Sequence, residues 1–317
     1  VHTPRRSALA ALACACVLLA AGCGSSTTPA GDVLGGIKVE GSDPATAPTV
    51  TIAKMPLKAT STVSKVITEG DGAAVTKDDI ATINAVIVNG TDGKVVDSTW
   101  AAGSTAGVDL ASDQLFAAIK TSLPDKKVGS RVLVAAPQKD VFGAEGNASA
   151  GLKATDSVVF VIDILGATQP LAEAKGAAVE PKPELPSVEF KGTDTPAVIT
   201  IPAGAQPPAE LVVQPLITGE GAEVADGQTV RVSYTGALWK DGSVFDSSAS
   251  HDPKYFQFPV GQGKVISGWD KAVKGQKVGS RLLLVVPPAE GYGANGNPPT
   301  ISGTDTLVFV VDILAAY

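Results

Sequence analysis

The chain has 317 residues, of which 44% are hydrophobic and 18% charged, with a formal net charge of −7. That length suggests about two domains, and that balance excludes a disordered chain. The acidic surface excludes charge-driven attraction to nucleic acid or anionic lipid, so no nucleic-acid partner is expected.

Residues 1–22 read as a lipoprotein signal peptide. Arg5 and Arg6 precede the uncharged run Ala8–Ala21, which is short for a bilayer span and suits a signal core. The run ends "LLAAGC" at Leu18–Cys23, and the polar stretch "GSSTTPAGD" follows. This resembles a bacterial lipobox, and the resemblance implies lipidation of Cys23. The expected location is then the extracytoplasmic side of the cell membrane, held by the N-terminal lipid. Cys14, Cys16 and Cys23 are the three cysteines of the sequence. The rest of the chain therefore offers neither a disulfide nor a thiolate metal site. Residues 23–46 read as a flexible tether.

Two related copies follow. "KVGSR" occurs at Lys127–Arg131 and again at Lys277–Arg281, 150 residues later. The match extends outward on both sides. "DGKVVDST" (Asp92–Thr99) faces "DGSVFDSS" (Asp241–Ser248), and "SVVFVIDIL" (Ser157–Leu165) faces "TLVFVVDIL" (Thr306–Leu314). The period is a whole domain, so this is a tandem duplication and not a solenoid. One copy is expected over residues 47–168 and the other over 194–317. The Ala-, Pro- and Glu-rich stretch between them reads as a linker over 169–193.

In the second copy, five β-branched or aromatic-rich runs bounded by Gly, Pro and Asp predict strands. They are Leu211–Ile217, Thr229–Leu238, Lys254–Val260, Ser280–Pro287 and Thr306–Leu314. Asp241-Gly242 is a hairpin signal. One short helix fits Val265–Gly275, with Ile266, Trp269 and Val273 on one apolar face. The first copy keeps the helix pattern in Leu115, Phe116, Ile119 and Leu123. The expected class is α+β: two tandem domains, each an antiparallel sheet wrapped over one helix.

The chemistry available is narrow. The chain has two histidines, His2 and His251. His251, in the polar stretch "SASHDP", reads as a solvated side chain. No Ser/His/Asp set can be assembled, and no metal-ligand spacing is present. Aromatics remain. Tyr234, Phe245, Tyr255, Phe256, Phe258, Trp269, Tyr292 and Phe309 gather in the second copy of a chain with 5% aromatics. The polar handles of Tyr234, Tyr292 and Trp269 suggest an apolar cavity with a few aimed donors.

"VSYTGALWKDGSVFDSS", "FQFPVGQGKVISGWDKAVKGQKVGSRLLLVVPPAEGYGANG" and "TLVFVVDIL" stand in this order. Together they resemble the FKBP-type peptidyl-prolyl cis-trans isomerases over nearly all of Leu211–Tyr317. The resemblance implies an antiparallel half-barrel around one helix, and an enzyme that turns X–Pro bonds without a cofactor. It makes Tyr234, Asp246 and Tyr292 the catalytic set. It makes Trp269 the floor under the proline ring, with Phe245, Phe256, Val265 and Phe309 as walls. The main-chain N–H of Ile266 and the Tyr292 hydroxyl would bind substrate carbonyls, and Ile301 would lie on the loop that reads the residue before proline. Asp246 would act on the twisting amide or orient Tyr234. No Arg follows Asp246 within a dozen residues, which leaves its ionic partner open.

In the first copy the same positions hold Ala85 for Tyr234, Val96 for Phe245, Ala106 for Phe256, Ile119 for Trp269 and Phe142 for Tyr292. Asp97 and Phe160 persist opposite Asp246 and Phe309. The expectation is a degenerate first domain without the usual proline pocket, or one with a site for another ligand. Expected partners of the whole are proline-containing unfolded or exported polypeptides, with a macrolide as a further ligand. The competing reading is a non-catalytic chaperone or binding module.

Overall fold

The computed structural model describes residues 30–317. The signal run and Cys23 lie outside the described residues.

Each copy folds as an antiparallel sheet against one short helix. In the first copy the elements are β1 (Val63–Thr68), β2 (Ile80–Asn89), β3 (Val95–Ser98), β4 (Ala106–Asp109), α1 (Ala117–Ser122), β5 (Arg131–Pro137) and β6 (Ser157–Thr168). The sheet runs β1-β5-β6-β2-β3, with β4 also paired to β2. In the second copy they are β7 (Val212–Gly219), β8 (Thr229–Leu238), β9 (Val244–Ser247), β10 (Phe256–Pro259), α2 (Ser267–Val273), β11 (Arg281–Val286) and β12 (Leu307–Ala316). This sheet repeats the order as β7-β11-β12-β8-β9, with β10 paired to β8. The long strand β8 ends in the expected Asp-Gly turn, where the N–H of Gly242 donates to the carbonyl of Leu238 over 2.8 Å.

The central strands are buried on both faces. Along β11, Leu282, Leu284 and Val286 join the core under α2. Leu283 and Val285 point the other way, into a second apolar layer with Leu185, Ala197, Ile199 and Trp239. The first copy repeats this, with Leu133 and Ala135 of β5 packed against Leu34, Ile37, Ile52 and Leu57. A period-two strand with both sides apolar needs a cover on each side. The covers are two short hairpins, Ile37–Glu40 with Thr49–Ile52 and Ser187–Glu189 with Val198–Thr200. Parts of the segments read from sequence as tether and linker are therefore ordered. Ile37–Glu40 is a strand, and Gly176–Ala178 adds to the edge of the second sheet beside β7. Few apolar side chains mark these segments, and the partners that order them lie far along the chain.

The KVGSR motif has a structural role in both copies. Its glycine turns the chain into the strand in a left-handed conformation, with φ of 91° at Gly129 and 94° at Gly279. Its serine hydroxyl accepts the main-chain N–H of a distant glycine, Gly70 over 2.9 Å and Gly219 over 3.0 Å. Its arginine forks onto a buried aspartate of the last strand, Arg131 on Asp163 and Arg281 on Asp312. The repeated pentapeptide belongs to the scaffold.

Candidate active site

The hollow of the second domain lies between its sheet and α2. The floor is Trp269, carried in the middle of α2 and 4% exposed. Its indole is boxed by Tyr234 at 5.2 Å, Phe309 at 5.3 Å, Phe258 at 5.6 Å and Phe256 at 6.3 Å between ring centroids. Three of these pairs are edge-to-face, the arrangement that aromatic quadrupoles favour. Strand β8 presents Tyr234, and its neighbour β12 presents Phe309 directly opposite Gly236. A β-carbon at Gly236 would lie 2.7 Å from Phe245 and 2.8 Å from Phe309. Only glycine lets these two walls close on each other at a ring distance of 5.6 Å.

The resulting cavity has a volume of about 640 Å3, within the range of small-ligand sites. It brings together Tyr234, Phe245, Asp246, Phe256, Val265, Ile266, Trp269, Tyr292 and Phe309. Ile301 does not line it. That side chain is 3% exposed and belongs to the core, on a loop closed by reciprocal main-chain hydrogen bonds with Asn297. The expectation for Ile301 is corrected: an apolar residue in a polar loop gains more from burial than from standing at a wet rim. Lys264 and Ser267 line the mouth and were not anticipated.

Asp246 is held from three sides. The Tyr234 hydroxyl donates to its Oδ2 over 2.5 Å, the Ser247 main-chain N–H donates to Oδ1 over 2.8 Å, and His251 Nε2 stands 2.8 Å from Oδ1. Partial burial pushes the carboxyl up, but the hydrogen bonds from Tyr234 and His251 and the His251 charge outweigh it. The group is held below the ordinary carboxylate range. Burial, and then the hydrogen bond to Asp246, push the Tyr234 phenol well up. Burial and the Asp246 charge also raise Tyr292. Both phenols therefore stay protonated donors at neutral pH.

His251 is exposed, as the polar stretch around it implies, and its ring in addition stands against the Asp246 carboxylate. The signal was its place five residues after Asp246, at the end of a short turn, Ser248–Ser250. Replacing His251 by Ala removes a contact that lowers the Asp246 pKa. The wild-type carboxylate stays ionised as pH falls until the lowered pKa is reached, so the variant should take up its proton at higher pH. The acid limb of the kcat/KM profile, recorded between about pH 3 and 6, should move to higher pH in His251→Ala. An unmoved limb would show that His251 does not act through Asp246.

Two donors at the mouth have no partner within the described residues. The Tyr292 hydroxyl and the main-chain N–H of Ile266 make no hydrogen bond to protein, and Tyr292 is 39% exposed. The site therefore offers an aromatic bowl, two donors at its rim without a partner among the described residues, and a carboxylate already committed to orienting Tyr234. Among the described residues no group of three or more His, Cys, Asp or Glu side chains is placed to hold a metal ion.

The sequence model of the FKBP-type peptidyl-prolyl cis-trans isomerases matches residues 72–165 and again 220–314. The chain belongs to that family. An FK506-binding protein of Streptomyces anulatus is 41% identical over 113 residues, 35% of this chain and 90% of the relative. A peptidyl-prolyl cis-trans isomerase of Arabidopsis thaliana is 47% identical over 90 residues, 28% of this chain and 53% of the relative. A solved isomerase of Pseudomonas syringae pv. tomato is 29% identical, covering 33% of this chain and 74% of its own, with a TM-score of 0.30.

The first FKBP domain keeps a smaller hollow at the corresponding place, about 160 Å3 and lined by Ile83, Ala85, Phe116, Ile119 and Phe160 among others. Phe142, the counterpart of Tyr292, has turned onto Phe116 at 4.8 Å between centroids. The large-to-small changes were thus partly absorbed by collapse, and a residual void remains. Filling it with Ala85→Ile should stabilise the chain by roughly 0.5–2 kcal/mol, read from the denaturant midpoint. A loss of stability would mean that the void is not available to a side chain.

Proposed function

We propose that the isomerase activity of this FKBP-family chain resides in its second domain and acts on X–Pro bonds of exported polypeptides. The carrying observation is the contrast between the two hollows. The second has the indole floor, four aromatic walls and two donors without a partner among the described residues, while the first has Ile119 and Ala85 in place of Trp269 and Tyr234 and no counterpart of Tyr292 in its lining.

The geometry suits the reaction. The barrier to turning an X–Pro bond, about 18–20 kcal/mol, is lost amide resonance. The twisted amide has less charge separation than the planar one, so a water-poor aromatic bowl favours it relative to the ground state. The proline ring would sit on Trp269, with its flanking carbonyls on the Ile266 N–H and the Tyr292 hydroxyl. Asp246 would act by holding Tyr234, since both its oxygens are engaged inside the protein. No proton moves and no covalent bond forms. A millionfold acceleration requires about 8 kcal/mol of differential stabilisation.

The same hollow is proposed to take a macrolide, in line with the FK506-binding name of the Streptomyces relative. Location at the outer face of the cell membrane, through a lipid on Cys23, is proposed on the sequence "LLAAGC" after an uncharged run. The deciding experiment is a protease-coupled proline-peptide assay on the full chain with one change in each hollow. Trp269→Ala should remove the activity and Phe116→Leu, in the lining of the first hollow, should leave it unaltered. The opposite pattern would move the activity to the first domain. Activity surviving both changes would place the reaction outside the two hollows, and no activity in the unaltered chain would favour the non-catalytic reading.

A further inference from the structure

We propose that Asp109, in the first domain, is a positioning residue for the proline pocket of the second. The proposal rests on the assignment of activity to the second domain made above.

Asp109 ends β4 and is 7% exposed, against the second domain. Its Oδ1 accepts the main-chain N–H of Ala111 over 3.1 Å, which fixes the carboxylate. Its Oδ2 is shared by three donors from the second domain. These are the Arg231 guanidinium, the Tyr255 hydroxyl at 2.7 Å and the Gln257 amide at 3.3 Å. The guanidinium also lies 3.9 Å over the Tyr255 ring. Two residues back, the ring of Tyr317 rests on Gly107, where a β-carbon would come within 1.9 Å of it. One short strand of the first domain therefore seats the second by a buried charge and a flat contact. The Arg231 guanidinium is itself buried, at 6% exposure. A charge so placed holds its partner in one arrangement, because the alternative is an unpaired buried ion.

The consequence for the pocket comes from strand alternation. Tyr255 and Gln257 are gripped by Asp109. Phe256 and Phe258 alternate with them and point to the other face, where both rings meet Trp269. Phe256 is 41% exposed and stacks on Phe258 at 5.7 Å. Among the described residues strand β10 pairs with β8 alone, through Thr229 to Val232. Asp109 fastens its reverse face. The strand that supplies Asp109 is the first domain's own counterpart of β10. There Ala106 stands where Phe256 does, so this strand has no pocket ring to present. The degenerate copy thus braces the working one through the strand it no longer needs for substrate.

The test uses the full chain. Phe256 lines the hollow and would contact the proline in ground and transition states alike, so loosening it should weaken uniform binding. Asp109→Ala is expected to raise KM for a proline peptide by about five- to tenfold with kcat within about twofold. The Phe256 ring resonances should move in the NMR spectrum while the Phe160 ring of the first domain stays in place. Asp109→Asn keeps an acceptor for Tyr255 and should recover part of the KM. Tyr255→Phe, which removes one hydroxyl and no core contact, should raise KM by about two- to threefold and covers the case in which Asp109→Ala does not fold. Unchanged KM and unmoved Phe256 resonances in Asp109→Ala, or in Tyr255→Phe where Asp109→Ala does not fold, would overturn the proposal. Failure of the underlying assignment has a separate signature, namely Trp269→Ala retaining activity whatever stands at 109.

Discussion

Trp269→Ala is expected to lower kcat/KM for a proline peptide by about a hundredfold or more. The indole is 4% exposed and touches Tyr234, Phe256, Phe258 and Phe309 at ring distances of 5.2 to 6.3 Å. Truncating a buried Trp to Ala typically costs about 3–5 kcal/mol in lost packing and cavity. If about 2.7 kcal/mol of that appears in the transition state, the rate falls by two decades, at about 1.36 kcal/mol each. The void would also admit water, which restores solvation to the planar, charge-separated amide and removes the preference for the twisted one. The assay must run below the variant's melting midpoint, because the same truncation destabilises the domain. Trp269→Phe separates the two effects, since it keeps most of the apolar volume and should lose less rate and less stability. Wild-type kcat/KM in folded Trp269→Ala would place the reaction elsewhere.

The second large effect is on stability. Asp312→Ala should destabilise the second domain by roughly 3–5 kcal/mol, read as a lower denaturant midpoint at unchanged slope. Asp312 is 1% exposed and Arg281 is 9% exposed. The guanidinium reaches both carboxylate oxygens, at 2.7 and 2.8 Å. Oδ2 also accepts the N–H of Ala174 over 3.0 Å, and the Phe190 ring caps the guanidinium at 3.4 Å. Removing the carboxylate strands a cation between a strand and an aromatic ring. Replacing both partners by Leu and Met should recover much of the loss, because the penalty comes from the unpaired charge more than from the missing pair. A loss below about 1 kcal/mol for Asp312→Ala would mean that water reaches Arg281. The equivalent pair in the first domain, Arg131 with Asp163, is expected to behave alike.

Much of the site was legible beforehand because its signals are local. Strand β8 was read over Thr229–Leu238 and is found there, since β-branched alternation and an Asp-Gly turn fix it within ten residues. Helix α2 is shorter than the apolar spacing implied, Ser267–Val273 against Val265–Gly275. Its first turn is spent on the Ile266 corner that carries the rim N–H. The hairpins on the outer faces were missed, although the unbroken run "RLLLVV" of β11 was a clue. A strand apolar on both sides must be covered on both.

By itself, then, the sequence determined the duplication, the central strands, the helix under each sheet, the aromatic set around Trp269 and the loss of that set in the first copy. These follow from the order and spacing of side chains, which act over short stretches. The tertiary structure decided what depends on distant groups meeting. It turned Ile301 into the core. It also put Asp109 under Tyr255, 146 residues away. Each of these contacts is made by a loop or strand end whose direction is set by the packing of another element, and a polar residue seen only in its own neighbourhood gives no sign of which distant partner will complete it.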